Sequence, residues 1–178
     1  MVLEFLRAER DTIPAWGREI VDNANVEDAS ENDLRKQLLA RRGYPQREAL
    51  FTHFPPDVAS HHAELTVPDL ASVRYMDRDQ TWLSFSEGTR SIPHGVSRLG
   101  KLSFRGDPSP DIYRIAAAVE EGRSFPDLIL VGPPDAAPEQ LVILEGHKRA
   151  TAYVYGEKPA QISVLVGFSS RIGEWYWF

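Results

Sequence analysis

Within five residues, Glu145-Gly146-His147-Lys148-Arg149, the chain carries a carboxylate, an imidazole, an ammonium and a guanidinium, with a glycine among them. Their positions matter as much as their types. Leu141 to Leu144 are four consecutive apolar residues, the pattern of a short strand covered on both faces. From Ala150 the spacing turns helical through Tyr153 and Val154, and Gly156 follows as a stop. The charged turn is therefore expected at a strand-to-helix junction. Amides in the first turn of a helix have no helical acceptor, and the helix dipole places about half a positive charge there. Gly146 has no Cβ to hold a ligand off the backbone. A phosphate fits such a place. Lys148 and Arg149 would oppose the dipole on their own and complement a bound anion. The plainer alternative is that both splay into water and Glu145 neutralises them as a strand-end ion pair.

The same five residues resemble the Asp/Glu-Gly-His-x-Arg signature of the ParB/sulfiredoxin-like superfamily, which includes ParB N-terminal domains, sulfiredoxin and a free serine kinase. The flanks resemble it too. Ile112 to Gly122 is similar to the family's helix ending in glycine, Phe125 to Val131 to the strand that follows, and Lys158 to Val166 to the closing strand. The likeness is good over the last part of the chain and loose between Leu65 and Gly106. It implies an α+β fold, a small mixed β-sheet with packed helices, over residues 65–178.

As for function, the resemblance implies a phosphate- or nucleotide-binding protein. In one reading it is an enzyme, a phosphotransferase or an NTP or phosphoester hydrolase. Glu145 would then be general base or Mg²⁺ ligand and His147 a second catalytic group. Gly146, His147, Lys148, Arg149 and Arg90 would cradle the phosphate of a nucleotide bound with Mg²⁺. In the other it is a non-catalytic nucleotide-gated module, or one for protein or nucleic-acid interaction. ParB proteins continue into a helix-turn-helix region, which is not expected between Arg149 and Phe178. Sulfiredoxin chemistry is excluded, because the chain has no cysteine and His147 stands where that motif carries its reactive Cys.

The composition, 42% hydrophobic and 26% charged over 178 residues, is that of a globular chain with one substantial core. A net charge of −6 gives no strong duplex-DNA signal, since gripping DNA usually takes a basic face. Acidic residues in the first nine positions speak against a secretory signal, and no apolar run approaches membrane-spanning length. A cytoplasmic protein without a membrane partner is expected.

The elements around the turn read as follows. Residues 1–64 are expected to form a helical subdomain. Within it are a segment from Ile13-Pro14 with Trp16, Ile20 and Val21, a helix over Leu34 to Arg42 capped from Ser30, and a third from Pro45 to Phe51. His53, His61 and His62 match no zinc spacing and are read as solvated or capping. Leu70 to Tyr75 and Thr81 to Phe85 alternate at period two and predict strands. Ser86 to Arg98 reads as a polar loop able to bring Arg90, His94 and Arg98 to an anion. Asp111 is expected to cap the helix of Ile112, Ile115 and Val119, and Pro133 to Pro138 to link two central strands. Trp175 to Phe178 is expected against the sheet, or against a partner subunit as a route to a homo-oligomer.

Overall fold

The computed structural model describes Leu6, Arg18, Val21, Asp22 and residues 49–101 and 106–178. The helices expected around Trp16 and Ile20 and over Leu34 to Arg42 lie outside them. The fold is α+β, with one small mixed sheet of four strands. β1 is Ala59–Leu65, β2 Leu128–Gly132, β3 Val142–Glu145 and β4 Ile162–Phe168, in the spatial order β1-β4-β2-β3. β1 lies antiparallel to β4, β4 parallel to β2, and β2 antiparallel to β3.

The three strands read from the C-terminal part of the sequence are present. β2 and β3 are buried along nearly their whole length and are joined antiparallel by the proline-containing excursion, but only β2 is central; β3 stands at the edge of the four-strand order, which corrects the expected pair of central strands. The sheet begins earlier than the boundary drawn near Leu65, because β1 starts at Ala59. Its side chains are exposed almost throughout, so no apolar alternation marks it, and His61 and His62 lie on this strand.

Five helices follow the same chain order: α1 Val67–Ser72, α2 Gln80–Phe85, α3 Ile92–Ser97, α4 Ser109–Glu120 and α5 His147–Gly156. Two of them correct the strands expected over Leu70 to Tyr75 and Thr81 to Phe85. Capping chemistry explains the difference. Thr66 and Asp69 form a reciprocal capping box, with the Asp69 amide donating to Thr66 Oγ1 at 3.3 Å and the Thr66 amide to Asp69 Oδ2 at 3.0 Å. Asp79 Oδ1 accepts from the amides of Thr81 and Trp82. Ser91 caps α3, so half of the expected Ser86 to Arg98 loop is helical. Asp111 is not the cap of α4; Pro108 stands there without a side-chain bond, and Asp111 lies inside the first turn.

The sheet separates two apolar layers. Leu128, Leu130 and Ile143 face Ile112 of α4, Ala150 and Tyr153 of α5, and the aromatic residues of the 70–97 region. Ile129, Val131, Val142 and Leu144 face the other way, against Leu6, Val21, Leu50, Met76, Ile172 and Trp175. Leu6 and Val21 have helical backbone. The C-terminal Trp175 therefore packs on the sheet, where its indole N–H donates to the Leu50 carbonyl at 2.6 Å. Tyr176 stays half exposed, with the Arg78 guanidinium 4.3 Å from its ring centre.

Candidate functional site

The charged turn lies at the junction of β3 and α5, as its spacing predicts. Gly146 is the N-cap residue, and its φ of 99° lies in the region that L side chains rarely adopt. A Cβ there would come within 2.5 Å of Leu128 Cδ2 and 3.1 Å of Arg149 Nη2. Glycine is thus required twice, for backbone angle and for packing. Because Gly146 has no side chain, α5 starts without a side-chain cap.

Each charged group of the turn has a definite partner. Arg149, buried on the sheet side of α5, donates from Nη2 to Glu145 Oε2 at 2.6 Å and from Nη1 to the Pro126 carbonyl at 2.7 Å. The two side chains are 9% and 18% exposed, so this pair is held largely out of water. Glu145 Oε1 takes no hydrogen bond among the described residues. Lys148 reaches outward to Asp111 of α4, and Arg114 donates to the other Asp111 oxygen at 2.7 Å. Those two cations hold the Asp111 carboxyl below its ordinary range.

His147 turns inward. At 8% exposure its ring lies nearly parallel to Trp82 and Tyr75, with centroid separations of 5.0 and 6.1 Å. Tyr75 and Trp82 stack on each other at 4.8 Å. Thr151 ties the group together, its Oγ1 2.7 Å from the Tyr75 hydroxyl and donating to the His147 carbonyl at 2.8 Å. Burial pushes the Tyr75 hydroxyl well above the usual phenol range.

Arg90 sits elsewhere. Its backbone has φ of 60°, its Nε donates to the Tyr75 carbonyl at 2.8 Å, and its Nη2 is buried without a hydrogen-bond partner. Burial, with Arg74 adding to it, lowers its affinity for the proton, and Asp77 opposes them. Among the described residues it makes no hydrogen bond or ion pair with the turn. His94 and Arg98 both pair with Glu87, at 3.1 Å each. The polar segment therefore neutralises itself instead of converging on Gly146.

Asp111 was missed as a member of the site. The expectation of a helix cap hid it, although an acid three residues into a helix of the neighbouring element was visible. The pairs Asp111 with Lys148 and Glu120 with Lys158 show that α4 and α5 run side by side in the same sense. Two helix N-termini therefore lie together at the Lys148 end, which is the solvent-facing end of the turn. No group of three or more metal-ligating side chains exists among the described residues. Of the turn's own side chains, Glu145 through Oε1 is the one that would hold a Mg²⁺.

Comparison with protein-family models, curated proteins and solved structures finds no match to this chain.

Proposed function

We propose that the chain is a phosphate-binding domain of the ParB/sulfiredoxin-like kind, taking a nucleotide or other small phosphate-bearing molecule at the start of α5. The observation that carries this reading is the β3-Gly146-α5 junction: a helix N-terminus without a side-chain cap, entered through a left-handed glycine, beside the half-exposed Lys148. The order helix, strand, hairpin, strand, glycine, helix, closing strand supports the fold-family likeness. The amides of Lys148 and Arg149 belong to the first turn and lack helical acceptors. Lys148 would exchange Asp111 for the ligand. That exchange loses little, since exposed pairs contribute about 0–1 kcal/mol.

Binding without turnover is the better supported form. Glu145 is already committed through Oε2 to Arg149, and the His147 ring is packed among aromatic rings away from solvent. The enzyme remains a second reading on one observation, the open Glu145 Oε1, which would serve as proton acceptor or hold Mg²⁺.

Calorimetric titration with ATP, CTP, GTP and pyrophosphate, each with and without Mg²⁺, tests both. Saturable binding is expected, with Lys148→Ala weakening it by about tenfold while the fold is kept. If no member of the panel binds at about 10 mM, the domain does not take phosphate there. Turnover of any nucleotide by the wild type, lost in Glu145→Gln, would establish the enzyme instead.

A further inference from the structure

A second site lies one turn along α5 from Arg149, in a cavity of about 330 Å³ between the end of α4, the segment entering β2 and the start of β4. That volume falls at the small end of the range for ligand pockets, about 300–1,000 Å³. Phe125, Pro159 and Ile162 give it apolar walls, and Asp127, Tyr153 and Ser163 bring polar groups to them. Two of these groups are open to a ligand through the cavity. Tyr153 is 6% exposed as a residue, and its hydroxyl, which makes no hydrogen bond among the described residues, is reached by solvent there. The Asp127 carboxylate also accepts none, and its ion-pair partner among them is His62, 3.6 Å away and largely in water.

We infer that this cavity binds a small planar ligand with a neutral or cationic N–H edge, such as an aromatic amine or amidine. The flat body would lie against Phe125 and Ile162, and the N–H edge would donate to Asp127 and Tyr153. Carboxylate acceptors select such ligands because a charge-assisted bond is about twice as strong as a neutral one. Anions are disfavoured by the same carboxylate. The basic side chains nearby do not reverse this: Arg123 is paired with Glu121 at 3.2 Å, Arg149 with Glu145 at 2.6 Å and Lys158, next to Pro159, with Glu120 at 2.7 Å. Burial raises the Tyr153 hydroxyl above the usual phenol range, Asp127 adding to that and Arg149 opposing it, so the group stays a neutral donor and acceptor. The site adjoins the phosphate site through Pro126, whose carbonyl accepts from Arg149, but uses none of the first-turn amides, so the result of a nucleotide titration does not decide it.

Benzamidine and benzoate, equal in shape and opposite in charge, are the probes, read by calorimetry and by amide shifts in ¹H–¹⁵N spectra. Benzamidine is expected to saturate with a dissociation constant of about 1 mM or below, shifting amides of Phe125 to Leu128 and of Ile162 and Ser163. Asp127→Asn, a half-exposed position, is expected to weaken it at least about tenfold, and Tyr153→Phe about fivefold. Benzoate is expected not to saturate. The inference is overturned if benzoate binds as well as benzamidine, if neither variant changes the affinity, or if benzamidine shows no saturation at about 10 mM. Should Tyr153→Phe fail to fold, Asp127→Asn decides alone.

Discussion

Glu145 shows what separates residue type from residue role. The sequence presents a carboxylate just ahead of basic side chains, and Lys148 and Arg149 were both candidates for its partner. Backbone direction chooses among them. Arg149 follows by four positions across the glycine turn and points back over the strand, whereas Lys148 points out to Asp111. Side-chain spacing cannot give this without the turn's own angles. The Arg149 fork also meets two acceptors on different elements, which a single ammonium would not reproduce. Glu145→Gln is therefore expected to destabilise the fold by about 2–3 kcal/mol, leaving a buried guanidinium short of its counter-charge. For a chain of this length that lowers the melting temperature by about 4–12 °C. Lys148→Ala should cost under about 1 kcal/mol. Thermal melts of the two variants check this, and equal losses would mean that the Arg149 pair is no better shielded than the Lys148 pair.

At the scale of elements, the best-read parts are those whose local signals agree with their burial. β2 and β3 are continuous apolar runs because both faces are covered, and the sequence says so without ambiguity. α1 and α2 are six residues each, too short for a helical period to outweigh a chance alternation. Their caps were the better guide: Thr66-x-x-Asp69 with a proline inside the first turn, and Asp79 ahead of Thr81. β1 was unreadable for the opposite reason. An edge strand with exposed side chains carries no hydrophobic pattern, and its place is set by pairing with β4 from Ala59 opposite Phe168 to Leu65 opposite Ile162. The β3-to-α5 junction depends most on one backbone angle. Gly146→Ala forces a Cβ into Leu128 and into a left-handed conformation, so a loss of about 2–4 kcal/mol is expected from overpacking and strain together. Denaturant unfolding measures it. Thr66→Ala, which removes half of a capping box, should lose about 1 kcal/mol in the same assay.

For the molecule as a whole, the sheet is the shared wall of two cores, and the sequence disclosed only one of them. The helix face was legible from the periodicity of α4 and α5. The opposite face is completed by Leu6, Val21 and Leu50 from one end of the chain and by Ile172 and Trp175 from the other; the aromatic ending pointed to Trp175, and the remaining contacts are too distant in sequence for any local pattern to announce. The ion pairs and side-chain bonds at the surface add a pH signature. Asp111 is held below the ordinary range by Lys148 and then Arg114, Glu174 by Arg171, and Asp69 by its bonds from Thr66. The ordinary values are 3.8 for aspartate and 4.5 for glutamate. A carboxyl whose folded pKa is depressed contributes stability that is complete above its unfolded value and is lost as pH falls through the folded one. These groups therefore leave stability unchanged from pH 7 to about 5 and remove it progressively below about 4.5. Each is exposed, so each contribution is small and screened by salt. Asp111→Asn is expected to flatten the acid side of a plot of unfolding midpoint against pH, and the difference from wild type should shrink in 1 M NaCl, where screening acts within about 3 Å. If the variant kept the full acid slope, or if stability rose as pH fell from 5 to 3, the link between α4 and α5 through Asp111 and Lys148 would not contribute to the folded state.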